Sequence, residues 1–407
     1  MFPQGPSEMK DPKADRPGFY KTKLGWIPQD WQCVPLSDAF TQRKNKGEPG
    51  LPVLSVTMDQ GMVLRSSLDR KMESEVSPED SLLVEPGDIA YNMMRMWQGA
   101  VTVADMRGVV SPAYVVCRPR KGVDPRFMLY QFKSHLGLYR LWANSYGITG
   151  DRLRLYFPDF ALVSMLLPPL AKQKKITQIL STWDVAIEKT NGLIAAKKAQ
   201  KKTLMQKLLT GKRRLPGFGD KWRICRLGEL FDERCEVDAD HLPLLAITGT
   251  RGIIPASEIE RKDSSSENKS RYKVIRSGDI GYNTMRMWQG VSAVSSLEGI
   301  VSPAYTICIP KASVNAMFMG YFFKYQPMVH LFWRHSQGMV DDTLSLKYHN
   351  FARISVLVPD KSEQCAIADV LATADREIAS LEAKFTALKE QKKGLMQKLL
   401  TGEIRVS

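Results

Sequence analysis

The strongest constraint on this chain is that it repeats itself. Gly87-Asp-Ile-Ala-Tyr-Asn-Met-Met-Arg-Met-Trp-Gln-Gly99 returns as Gly278-Asp-Ile-Gly-Tyr-Asn-Thr-Met-Arg-Met-Trp-Gln-Gly290, identical at eleven of thirteen positions and displaced by 191 residues. The same displacement carries Val110-Ser-Pro-Ala-Tyr114 onto Val301–Tyr305, and Leu204-Met-Gln-Lys-Leu-Leu-Thr-Gly211 onto Leu395–Gly402. Leu51-Pro52, Cys117, Trp142 and Asp151 also recur, as Leu242-Pro243, Cys308, Trp333 and Asp342. No insertion or deletion is needed between Trp31 and Gly402. A long period of this kind is a tandem duplication of one folding unit rather than a short-period solenoid. Two copies of one fold are therefore expected about a pseudo-two-fold axis.

Each copy has two parts. Residues 21–165, and again 215–356, carry short strand-like runs such as Val109–Cys117 and Ile300–Ile309, punctuated by Gly, Pro, Ser and Asp. Aromatic helical stretches, Arg126–Trp142 and Met317–Trp333, are mixed in, which makes each an α/β domain. Residues 166–214 and 357–407 differ in kind. Apolar positions there alternate four and three apart, through Ile176, Leu180, Trp183, Ile187, Ile194, Leu204 and Leu208. In the second copy they run through Ile367, Leu371, Ile378, Leu381, Phe385, Leu388, Leu395 and Leu399. Thr190, Lys197 and Lys201 occupy seam positions in the first copy, and Lys392 does so in the second. This is a coiled-coil seam, predicting two helices of about 33 residues, roughly 50 Å each at about 1.5 Å per residue. A helix this long cannot bury its stripe alone. Pairing of the two copies, antiparallel because a domain connects them, is the simplest solution; pairing with a second chain is the other. The fold class expected is α+β, with two tandemly duplicated α/β domains separated by two long antiparallel helices. Residues 1–20 read as an N-terminal leader without the apolar core of a signal peptide.

The chain has 58 Lys+Arg against 43 Asp+Glu, a formal net charge of +15. A balance this basic favours a polyanionic partner, because neutralised phosphates release counterions. No apolar run approaches the roughly 20 residues that cross a bilayer, so no membrane role and a cytoplasmic location are expected. Six scattered cysteines without a CxxC pair predict reduced thiols rather than a disulfide framework. Cys225, Cys235 and His241 match no common zinc spacing, and no metal is expected.

No phosphate-binding GxxxxGK[ST] loop or strand-following GxGxxG is present, so neither ATP nor a nucleotide cofactor is expected in this chain. Ser111-Pro-Ala-Tyr114 and Ser302-Pro-Ala-Tyr305 resemble the (Ser/Asn/Asp)-Pro-Pro-Tyr loop of amino-methyltransferases but lack its second proline. A tight turn entering a buried strand is the other reading. Pro359-Asp360 with Glu382-Ala-Lys384 is nuclease-like only in letters, because residues two apart on a helix point in different directions. No catalytic residues are expected.

DNA contact can be sought in the repeated segment. Arg95 and Arg286 can make two hydrogen bonds to guanine, and Asn92, Gln98, Asn283 and Gln289 can do so to adenine. Trp97 and Trp288 either stack on DNA or belong to the core, and Tyr91 and Tyr282 could reach phosphate. Thr57, Gln60, Arg65 and Arg70 in the first copy, and Thr250, Arg251, Arg261 and Lys262 in the second, are the other candidates for DNA contact. Arg152 and Arg154 match Thr343 and Ser345, so charge differs between the copies there. The run Lys197, Lys198, Lys201 and Lys202 either meets phosphate or an acidic partner, or is a solvated helix face.

These features together resemble the specificity subunits of Type I restriction–modification systems over nearly the whole chain. Lys23-Leu-Gly-Trp-Ile-Pro28 with Trp31 is similar to that family's entry into its first domain. Leu166-Leu-Pro-Pro-Leu170 with Gln173 and Ile176, the Asp184–Ile187 pair, and Leu204–Lys212 are similar to its helical region, and Leu395–Val406 repeats that ending. The family's Glu-Gln at the helix start is kept as Glu363-Gln364, but the first copy has Lys172-Gln173. The resemblance implies two target recognition domains that each read half of a split double-stranded DNA site, with the helices fixing the gap. It also implies two modification subunits that bring S-adenosylmethionine and methylate adenine, and two restriction subunits that use ATP and Mg for translocation and cleavage. A relict or fused DNA methyltransferase component, or a coiled-coil assembly protein without DNA specificity, are the alternatives.

Overall fold

The computed structural model describes residues 17–68, 80–149, 152–259, 268–339 and 343–406. Arg70, Arg261 and Lys262 lie outside the described residues. Packing divides the chain into two units, residues 1–189 with 385–407, and residues 190–384. Each unit holds one globular domain and a part of both long helices. Phe19–Thr22, which overlaps the end of the expected leader, is a strand paired with Gly25–Pro28.

In the first unit a four-stranded antiparallel sheet runs in the order Phe40–Arg43, Tyr114–Pro119, Ile89–Asn92, Val101–Val103. Both of its faces are covered. Ile89, Tyr91, Val115 and Cys117 point into the main core with Phe40, Phe127, Phe132 and Phe160. Ala90, Val116 and Tyr114 point into a second cluster with Leu54, Val56 and Val110. A sheet buried on both sides has no polar face, which is why Tyr114–Pro119 opens with four buried residues in succession. The hairpin Leu54–Thr57/Gly61–Leu64 and the pair Leu82–Val84/Gly108–Val110 supply the second layer.

Two expected elements are broken in the structure. The run Val109–Cys117 is two strands, parted where the Tyr114 N–H returns to the Ser111 carbonyl at 3.0 Å. Ser-Pro-Ala-Tyr is thus a tight turn into a buried strand. The stretch Arg126–Trp142 is two helices, Pro125–Lys133 and His135–Ala143, parted at Ser134, whose hydroxyl accepts the Gly137 N–H at 3.0 Å. A Cβ at Gly137 would lie 1.8 Å from the Gln131 carbonyl, so only glycine allows that sharp junction.

The second unit repeats the sheet in the order Phe231–Glu233, Tyr305–Pro310, Ile280–Asn283, Ser292–Val294. Its register is the same, Gly281 opposite Ile307 where Ala90 faces Val116. One exchange shows how the second cluster was repacked. Val56 and Ala90 correspond to Ile247 and Gly281, and a Cβ on Gly281 would fall 2.3 Å from Cδ1 of Ile247. The larger isoleucine occupies the space of the lost methyl. Gly281→Ala should therefore lower stability by about 1–3 kcal/mol through overpacking, and Ile247→Val in the same chain should restore it, both read by thermal unfolding. A melting temperature untouched by Gly281→Ala would refute this packing account.

The repeated Gly-Asp is structural. Asp88, nearly fully buried, takes two hydrogen bonds from Arg43 at 2.7 and 3.2 Å and the Glu85 N–H at 2.9 Å. Asp279 does the same with Arg234 at 2.8 and 3.1 Å and the Arg276 N–H at 2.8 Å.

The long helices exceed the expected length: Leu170–Leu208 has 39 residues and Lys361–Thr401 has 41, roughly 60 Å each. Every seam position named above is buried or half-buried. Within the first unit, Ile176 and Leu180 share a core with Leu399 and Leu400. Within the second, Leu208 and Leu209 meet Ile367 and Leu371. The start of each helix thus lies against the end of the other, and the pair is antiparallel. At both helix starts a buried glutamine secures the preceding loop. Gln173 accepts the Asp124 N–H at 2.8 Å and donates to the Pro168 and Gly122 carbonyls; Gln364 repeats this with Asn315, Pro359 and Ser313. The neighbouring position differs. Glu363 takes Arg214 at 2.6 and 2.7 Å and the Trp222 indole N–H at 3.0 Å, whereas Lys172 pairs with Asp30 at 2.7 Å. Among the described residues no helix is long and apolar enough to cross a membrane.

Candidate nucleic-acid interface

In each unit the repeated segment leaves the sheet at Asn92 or Asn283 and re-enters it at Val101 or Ser292. Between them the chain makes a tight turn ending in a short 3-10 helix, Met96–Gln98 or Met287–Gln289. The turn is internally built. The Asn92 side-chain oxygen accepts the Met94 N–H at 3.0 Å, and Asn283 does so from Met285 at 3.0 Å, a local motif that fixes the backbone. The half-buried Trp97 and Trp288 donate their indole N–H to the Met94 and Met285 carbonyls at 3.1 and 3.0 Å. Gly99 and Gly290 close the turn with φ of 89° and 78°, a conformation that favours glycine. Met96 and Met287 anchor it in the core.

What this scaffold presents is Arg95 with Gln98, and Arg286 with Gln289, all exposed. Neither guanidinium has a hydrogen-bond or ion-pair partner among the described residues. Tyr91 and Tyr282, expected to reach phosphate, do not: both are fully buried, and burial pushes both phenols well above their ordinary pKa. A tyrosine on a sheet covered on both faces has no route to solvent.

The hairpin beside the turn differs at its tip between units. Thr57 accepts the Gln60 N–H at 3.0 Å and donates to the Gly61 carbonyl at 3.1 Å, and Thr248 makes the same pair of bonds with Arg251 and Gly252. Thr57 therefore shapes the tip, while Gln60 in one unit and Thr250 and Arg251 in the other are exposed there. Arg251 is ion-paired to Glu258 at 2.6 Å, and Arg65 is half-buried. The hairpin lies over the strand that leaves the turn, since a Cβ on Gly61 would fall 3.0 Å from Oγ1 of Thr102, and one on Gly249 3.9 Å from Cγ2 of Val291. A third segment joins here. Tyr146 and Arg154 pair as a short ribbon, and beyond exposed Arg152 the Leu155 N–H bonds to the Met93 carbonyl at 2.8 Å. Leu346 bonds to Thr284 in the same way at 2.8 Å. Turn, hairpin and ribbon thus meet in each domain.

Three of the four lysines in the basic run on the first long helix are committed elsewhere, while Lys202 is exposed. Lys197 pairs with Glu377 at 2.7 Å, Lys198 with Glu382 at 2.7 Å and Lys201 with Asp375 at 2.5 Å. Glu382 thereby has an interhelix role, and Asp360 caps its helix by accepting the Glu363 N–H at 2.8 Å, a bond that lowers its carboxyl pKa. These contacts replace the nuclease-like reading with helix structure.

No family model matches the chain. Two relatives from Methanocaldococcus jannaschii do, from end to end. The type I restriction enzyme MjaVIII specificity subunit is 23% identical over 93% of this chain and 94% of its own. Its MjaX counterpart is 24% identical over 95% and 97%. Among solved structures, the HsdS subunit of Thermoanaerobacter tengcongensis is 17% identical with a TM-score of 0.52, over 93% of this chain and 98% of its own. The Type-I restriction-modification S subunit of M. genitalium is 14% identical with a TM-score of 0.56, over 93% and 97%. The sequence likeness spans both copies and both helices, and the solved structures share the fold. Over nearly its whole length the chain is thus similar to Type I restriction–modification specificity subunits, and it shares their fold.

Proposed function

We propose that this DNA-recognition subunit reads a split target, each domain taking one half through its exposed Arg/Gln turn, the adjoining hairpin tip and the ribbon. The observation that carries this reading is the turn itself: an identical arginine and glutamine, unpartnered among the described residues, built on the same rigid scaffold twice. Arginine is the side chain best suited to the two acceptors of guanine, and glutamine to adenine. Because the turns match and the hairpin tips do not, the two half-sites are expected to share some bases, in inverted order, and to differ at others.

The long helices hold the two readers at a set separation and offer the surface on which modification subunits dock. S-adenosylmethionine, ATP and Mg then belong to partner subunits, and this chain supplies address rather than chemistry, in the cytoplasm where its DNA lies.

Arg286→Ala tests the base-reading role. It should weaken binding to the cognate duplex by about 1–3 kcal/mol and relax preference at one base of one half-site. Titration of duplexes substituted singly through the target measures both effects. Equal weakening on every duplex would assign Arg286 to phosphate and remove the turn from sequence reading.

A further inference from the structure

One polar arrangement occurs twice and is absorbed by none of the roles above. In the first unit the Tyr130 hydroxyl donates to Oδ2 of Asp184 at 2.6 Å, Lys392 bonds to the other carboxylate oxygen, and its ammonium lies 5.2 Å from the centre of the Tyr130 ring. In the second, Tyr321 donates to Asp375 at 2.7 Å, Lys201 bonds at 2.5 Å, and its ammonium lies 5.0 Å from the ring. Each node joins three pieces of chain at one carboxylate: the tyrosine from the domain's own helix, the aspartate from one long helix, the lysine from the other. Burial first, then the adjoining carboxylate, raise both tyrosines above their ordinary pKa.

Repetition separates the nodes from ordinary helix pairing. The neighbouring bridges Lys197–Glu377 and Lys198–Glu382 have no copy, since the matched positions are Leu388 with Ala186 and Lys389 with Asn191. The node residues are identical in both copies, and in both the lysine sits at a seam position where an apolar residue is the rule. Stability is a weak reason to keep them, because Asp184 and Asp375 are 47% and 44% exposed and such pairs contribute little. Geometry is a stronger one. The node clamps the domain helix across both long helices, and in the first unit that helix also holds the hairpin tip, through Lys133 donating to the Met58 carbonyl at 3.2 Å.

We propose that these two nodes are positioning devices that set the angle of each recognition domain on the helix pair, and with it the gap length the protein accepts. This rests on the split-site reading given above. The test is binding of the full chain, with its modification subunits, to duplexes carrying the target with its natural gap and with the gap one base pair longer or shorter. Asp184→Asn should leave binding at the natural gap within a few-fold, yet reduce the preference for it over the altered gaps by roughly fivefold or more. Tyr130→Phe, which keeps the ring under Lys392 but loses the hydrogen bond, should reduce it partway and serves as the deciding variant if Asp184→Asn does not fold. Lys197→Ala, which breaks a bridge that touches no domain, should leave the preference unchanged. A folded variant with wild-type gap preference, or equal loss on all gaps, overturns the positioning role. A wild-type protein indifferent to the gap would instead overturn the split-site reading itself.

Discussion

Inserting four residues into both long helices, after Lys189 and after Lys384, is expected to abolish binding at the natural gap and create binding at a longer one. The two positions are the boundaries of the packing units, so contacts on either side survive. Asp184–Lys392 stays intact in one unit and Lys201–Asp375 in the other. Four residues are also one step of the four-three seam, so the apolar stripe continues through the insertion. The added rise is about 6 Å, close to two base pairs at about 3.4 Å each. The rotations match less well: about 40° for four helical residues against about 70° for two base pairs. Binding at the best new gap should therefore be weaker than wild type at its own. Gel-shift titration across gaps from two base pairs shorter to four longer reads this directly. An unchanged preferred gap would show that the helices do not set the spacing.

Asp279→Ala should be among the most damaging single substitutions in the chain. The carboxylate is nearly fully buried, takes both ends of Arg234 and satisfies the Arg276 N–H. Removing it leaves a guanidinium that is only 13% exposed beside a single remaining acceptor, Glu236 at 3.3 Å. Losing one partner of a buried pair costs about 3–5 kcal/mol, and Glu236 places this case toward the lower end. That is a large part of the 5–15 kcal/mol or so that holds a domain together. For a unit of this size about 3 kcal/mol corresponds to a fall in melting temperature on the order of 10 °C, measurable by calorimetry. A fall below about 2 °C would mean that the pair is dispensable.

What the sequence disclosed and what it concealed follow from the range of the interactions. The duplication and the seam are periodic and local, so Ile176, Leu180, Ile367 and Leu371 could be placed on one stripe from spacing alone, and they are buried. The Arg/Gln turn was visible because the repeat held it fixed, although repetition could not distinguish Asn92, which builds the turn, from Arg95, which projects from it. Tyr91 and Tyr282 were misplaced because alternation along a strand does not reveal that both faces of the sheet are covered. For Lys197, Lys198 and Lys201 the sequence left phosphate, an acidic partner and a solvated face open, because their acidic partners lie on the other long helix, well over a hundred residues away in sequence. The nodes carried a signal that could have been used: Tyr130 with Tyr321, Asp184 with Asp375 and Lys201 with Lys392 are all identical at the repeat displacement. A lysine kept at a seam position in both copies asks for a buried partner, and the carboxylate was present, but the partners stand 54 and 208 residues apart in the first unit.

Whether this chain supplies the address for DNA modification is read out by mapping methylated adenines in genomic DNA. Cells carrying the chain with its modification subunit are compared with cells from which only the chain has been removed. Methylation is expected at a split motif with a fixed gap, present in the first and lost in the second. The same methylation in both would contradict it, as would none in the first when the modification subunit is shown to be active.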